Sequence, residues 1–201
     1  MNATRSLEGL ALALGALVLL TVTACSTATP TDTPGVERLG NTILHYRGPE
    51  LDVLLSYRFA NFNPGEDWLF LDVGITAETR TSVEIKREKI AIRTPAGEII
   101  PLATQREFGA AYPKLAPVVA RADIASEPLD YYPSRSPMGL DLLVPPGSAL
   151  ALESVWVNDQ EVAIGRLYFD IPAGVQLGPY ELRIDLQETK IRIPFRLGPE
   201  R

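Results

Sequence analysis

At 201 residues, with 46% hydrophobic and 22% charged side chains, the chain has the make-up of one folded domain, which argues against two full domains or wholesale disorder. Its formal net charge of -6 repels phosphate backbones and anionic headgroups, so nucleic acid is not an expected partner and membrane association would come from an anchor rather than a basic face. One histidine and one cysteine exclude a multi-histidine zinc site, a cysteine cluster and any internal disulfide.

The chain opens with MNATRSLEGLALALGALVLLTVTAC, in which an early Arg5 is followed by an uncharged apolar run from Leu10 to Val22. That run falls short of the ~20 apolar residues of a spanning helix and has the length of a signal-peptide core. Residues 1–24 are therefore expected to be a signal peptide that is removed. Immediately before Cys25 stand Val22, Thr23 and Ala24, a branched apolar residue and two small ones, and this sequence resembles the lipobox of bacterial lipoproteins. The resemblance covers the leader alone. It implies fatty acylation of Cys25, detectable as palmitate, and cleavage just before it. Ser26, where an aspartate would signal inner-membrane retention, implies the periplasmic side of the outer membrane if the cell is Gram-negative. Cleavage by the ordinary secretory peptidase, leaving Cys25 free, is the other reading; a lone thiol without a partner in an oxidising compartment favours the lipidated one. Residues 25–36, containing STATPTDTPGV, read as a flexible tether.

From residue 37 to 201 a single domain is expected, and period-two alternation dominates it. Leu51, Val53, Leu55, Tyr57 and Phe59 share one face of a strand, opposite Asp52, Ser56 and Arg58; Leu69, Leu71, Val73, Ile75 and Ala77 share one face of the next. FNPGED between them predicts a hairpin turn. Short strands follow around Val83 and Ile85 and around Ile90 and Ile92, and TPAGE reverses the chain into Ile99, Ile100 and Leu102. Two strands flank the Asn158, Asp159, Gln160 turn, and two more flank Glu188, Thr189 and Lys190. Pro194 cannot donate to a ladder, which places the last strand at an edge. This grammar predicts a mainly β fold, an antiparallel immunoglobulin-like β-sandwich. Tyr180, following Gly178 and Pro179, resembles the tyrosine corner of Greek-key sandwiches, although a core tyrosine in any hairpin would look the same.

The segment 104–137 breaks the alternation. Gln105 to Tyr112 and Pro117 to Ala125 read as two short helical turns separated by prolines, within a packed, partly helical insertion. Its side chains Phe108, Tyr112, Tyr131, Tyr132 and Arg135 are the candidate partner-binding residues, because tyrosines on a constrained loop offer contact area at little entropic cost.

The catalytic repertoire is thin. His45 is the one available imidazole and reads as a half-exposed strand residue; no GxSxG, phosphate loop or dinucleotide motif is present. No cofactor or metal is expected. Glu107, Asp123, Glu127, Asp130 and Asp141 leave open a glycoside-type hydrolase or calcium binding, with solvated surface acids as the plain alternative. Lys86, Arg87 and Lys89, with Arg80 and Arg93, read as protection of a strand edge rather than an anion patch, and Trp68 and Trp156 as core or rim residues rather than sugar platforms. Together these readings point to a lipid-anchored envelope module that binds a protein partner, with a hydrolase or a purely structural envelope component as the alternatives.

Overall fold

The computed structural model describes residues 29–31, 33–127, 129 and 131–199. The leader and Cys25 lie outside the described residues. The chain is mainly β and forms a sandwich of two principal sheets with one long helix.

The larger sheet is a meander of β1 (Thr29–Pro30), β2 (Val36–Arg38), β3 (Ile43–Arg47), β4 (Leu51–Ser56) and β5 (Trp68–Ala77). It continues through β11 (Glu161–Asp170) and ends at β9 (Ser136–Gly139), which alone runs parallel to its neighbour. The smaller sheet has the order β13 (Lys190–Leu197), β12 (Gly178–Asp185), β7 (Ile90–Arg93) and β8 (Ile99–Pro101). A separate ribbon pairs β6 (Val83–Lys86) with β10 (Ser154–Val157). All four outermost strands of the two principal sheets contain a proline: Pro30, Pro137, Pro101 and Pro194.

Registers explain the core. Leu51, Val53 and Leu55 stand opposite Ala77, Ile75 and Val73, and all six are fully buried. They meet Leu182, Ile184, Ile191 and Ile193 of the smaller sheet in one apolar cluster, joined by the Tyr57 and Phe195 rings at 5.3 Å. Tyr180 stacks on Phe195, and its hydroxyl donates to Gln176 O and accepts from Gln176 N, both at 3.0 Å. This backward bond to the chain four residues upstream is the tyrosine-corner geometry of immunoglobulin-like sandwiches.

The face expected to be solvated is also covered. Asp52, Ser56, Phe70 and Thr76 are buried although they alternate with the core residues. The cover is the insertion, which makes a third layer across the larger sheet. Its main element is one helix, α2 (Gln105–Ala125), where two short turns were expected. Thr104 and Glu107 form a reciprocal capping box at its start. Pro113 and Pro117 remove two helical donors, but they lie four residues apart on the exposed face. Water can therefore satisfy the carbonyls freed at Gly109 and Pro113, while Phe108, Leu115 and Ala122 keep a stripe at seven-residue spacing against the core.

Two further expectations are corrected. The first strand stops at Ser56, and Phe59 belongs to a short helix, α1 (Arg58–Phe62), because Tyr57 leaves the extended region before the Pro64, Gly65 turn. Ordered structure begins before residue 37. Gly35, at a φ of 76°, reverses the chain so that Thr29–Pro30 pairs with Arg38 and Glu37, and the Thr31 hydroxyl donates to Val36 O at 2.8 Å. Strands flank the 158–160 turn as expected, and they pair with different partners: β10 joins β6 while β11 joins β5, so this turn carries the chain from ribbon to sheet.

Candidate functional site

At the end of the insertion layer the chain crosses β3 to β5, and two side chains fasten it there. Asp52, on β4, is flanked by Arg47 of β3 and Thr76 of β5 in the ladder, and the same sheet face carries His45. Both His45 Nε2 and the Tyr132 hydroxyl, the latter at 2.5 Å, donate to the same Asp52 oxygen. The Tyr132 hydroxyl also lies 3.4 Å from His45 Nε2, and the two rings meet edge to face. Arg135 completes the fastening. Its guanidinium donates to the Thr76 hydroxyl, reaches Glu78 at 3.4 Å, and lies 5.2 Å from the centroid of the Tyr132 ring.

Burial governs the electrostatics. Desolvation alone would raise the Asp52 carboxyl, but the bonds from His45 and Tyr132 outweigh it and hold it below the usual carboxylate range. Tyr132 moves the other way: burial, then the neighbouring Asp52 carboxylate, push its phenol far upward, so it stays protonated and serves as a donor. His45 is 5% exposed rather than half-exposed, since the insertion covers its strand face. With Nε2 committed to Asp52, its Nδ1 is buried without a hydrogen-bond partner among the described residues.

Around this latch an open pocket of about 540 Å³ is lined by Arg47, Gly48, Glu78, Pro133 and Ser134 as well as the latch residues. Tyr131 stands on its rim with 43% of its surface exposed. The structure thus brings Tyr131, Tyr132 and Arg135 together. It places the other two candidates elsewhere: Phe108 is fully buried against Tyr168, at 4.5 Å between ring centres, and Tyr112 packs on Phe108. Phe108 is a core anchor of α2 and offers no surface to a partner. His45 and Asp52, which sequence reasoning had not joined to the loop, share the polar face of the alternation in β3 and β4; that shared face was the available signal.

The latch has no route to nucleophilic catalysis. A hydrolytic histidine needs one nitrogen oriented by a carboxylate and the other facing a nucleophile, and here Nδ1 is sealed. Two acids of the insertion serve structural roles. Glu107 caps α2, and Glu127 pairs with Arg58 at 3.1 Å. Asp123 and Asp72 meet in a second open pocket, but Arg166 stands between them, bonding Asp72 at 2.7 Å and Asp123 at 2.8 Å, with Ser126 on its remaining nitrogen at 2.7 Å. Asp141 is exposed, and Asp130 lies outside the described residues. Among the described residues no group of three or more His, Cys, Asp or Glu is placed to hold a metal ion, and no helix is long and apolar enough to cross a membrane.

Comparison with known proteins returned no match: no family model fits the chain, and neither a curated protein nor a solved structure shows significant similarity to it.

Proposed function

We propose that the chain is an exported lipoprotein, held to a membrane through Cys25, whose sandwich domain binds another envelope protein through the loop 131–135. The leader reading rests on the apolar run Leu10 to Val22 and on Val22, Thr23 and Ala24 before Cys25. What supports the binding role is the fastening of the loop on both sides of its tip. Tyr132 and Arg135 are tied to the sheet, while Tyr131, Pro133 and Ser134 face solvent beside an open pocket. A loop ordered before binding loses little conformational freedom on contact, and an exposed tyrosine on such a loop is a favourable anchor.

Two experiments test the two halves separately. A photoreactive phenylalanine at position 131, activated in whole cells, is expected to yield a discrete adduct with one envelope protein. The same group at Glu181, on the smaller sheet, is expected to yield none. Absence of an adduct specific to position 131 refutes the binding role. Radiolabelled palmitate is expected to enter the wild type and not Cys25→Ser; equal labelling refutes the anchor.

A further inference from the structure

A second open groove, of about 510 Å³, runs between the ribbon β6–β10 and the β12–β13 turn. Trp156 forms one wall. Its neighbours Val155 and Val157 point into the core and are buried, which turns the indole outward with 55% of its surface exposed. Glu84 stands directly across the ribbon from Trp156, and Lys86, one pleat along on the same face, reaches Glu84 at 3.4 Å. Asp185 and Gln187 line the groove from the β12–β13 turn, and Lys89 closes in from the turn after β6.

This combination selects a chemistry. An uncovered flat indole offers an apolar platform, yet ammonium, carboxylate and amide groups ring it. A purely apolar ligand would desolvate those groups without pairing them, at a cost for each. A polyanion would gain from the two lysines but meet Glu84 and Asp185, and a polycation would meet the reverse. A pyranose answers both features: its C–H face packs on the indole, and its rim of hydroxyls donates to carboxylates and accepts from ammonium and amide N–H groups. The volume is that of small-molecule sites, and the lining is predominantly polar around the one aromatic wall, as suits a hydroxyl-rich ligand.

We propose that this groove is a saccharide-binding site for neutral or zwitterionic glycans, with Trp156 as the stacking platform and Glu84, Lys86 and Gln187 as the groups that read hydroxyls. The site is separate from the loop 131–135 and stands or falls independently of it.

The test uses the full chain carrying Trp68→Phe, so that Trp156 is the sole tryptophan reporter, titrated with chitotetraose, cellotetraose and maltotetraose up to millimolar concentration. A heparin tetrasaccharide serves as the polyanionic control. At least one neutral tetrasaccharide is expected to change the Trp156 emission saturably. By calorimetry on the chain with Trp68 retained, Trp156→Ala is expected to weaken that binding by about tenfold or more. Gln187→Ala, at an exposed turn, is expected to weaken it less while leaving circular dichroism and melting unchanged, which keeps the claim testable should Trp156→Ala fold poorly. Failure of all three neutral sugars to bind, unchanged affinity in both variants, or binding of heparin alone would each overturn the proposal.

Discussion

Replacing Tyr132 with phenylalanine isolates the latch. The substitution keeps the ring, its edge contact with His45 and the guanidinium of Arg135 near its face, and deletes only the hydroxyl that donates to Asp52 at 2.5 Å. A hydrogen bond to a buried charged acceptor contributes about 1.5–3 kcal/mol. In a domain of this size that corresponds to a fall in melting temperature of about 3–12 °C. The pH dependence carries the diagnostic. Burial by itself would raise the Asp52 carboxyl, but the bonds from His45 and Tyr132 lower it overall. A carboxyl lowered in the folded state contributes stability that is fully present above its unfolded value, near about pH 4, and is lost as the pH falls through the folded value. The penalty of Tyr132→Phe is therefore expected to be full at neutral pH and to shrink below about pH 4 as Asp52 takes up its proton. Urea unfolding of wild type and variant across that range measures it. Tyr131→Phe, at an exposed ring, is the control and is expected to change stability by less than about 0.5 kcal/mol. A Tyr132→Phe penalty that is absent at neutral pH, or that persists undiminished in acid, would refute an ionised Asp52 as the phenol's acceptor.

Four further outcomes are expected by the same unfolding measurement. Arg166→Met leaves Asp72, itself largely buried, without its counter-ion and is expected to cost about 3–5 kcal/mol; the Asp123 contact contributes little of this because that carboxylate is mostly exposed. Arg166→Lys is expected to recover only part of the loss, since one ammonium cannot reach Asp72, Asp123 and Ser126 together. Gly165→Ala would set a Cβ 2.8 Å from the Leu140 Cβ and 3.1 Å from its carbonyl oxygen, forcing β11 and the chain after β9 apart at a cost of about 1–3 kcal/mol. Pro117→Ala restores a helical donor on the wet face of α2 and is expected to stabilise the domain by about 2 kcal/mol, after allowing for the more flexible unfolded chain.

Strand positions were legible because a buried face repeats every second residue, and Leu69 to Ala77 and Tyr180 to Ile184 follow that rule through the core. The edge position of Pro194 followed from one missing donor, and the tyrosine corner from Tyr180 after a Gly and Pro turn. Alternation did not reveal that the polar face would also be buried. Asp52, Ser56 and Thr76 look solvated in sequence because their partners, Tyr132, Glu127 and Arg135, lie roughly sixty to eighty residues away. The helix α2 was read as broken because proline rules are local, whereas the placement of Pro113 and Pro117 on one wet face is a property of the whole helix. At the site, the aromatic loop was visible in the sequence. For the imidazole and carboxylate that hold it the sequence offered only their place on a polar strand face, because pairing His45 with Asp52 requires the β3–β4 register.

The prolines in the four outermost strands bear on how the molecule behaves at high local density. A neighbouring copy arriving alongside Pro137, Pro101 or Pro194 finds a missing N–H and a ring in its path, and alongside Pro30 it finds a missing N–H, so an intermolecular ladder stalls at the borders of both sheets. Many copies confined to one surface could collide repeatedly and still not zip into fibrils.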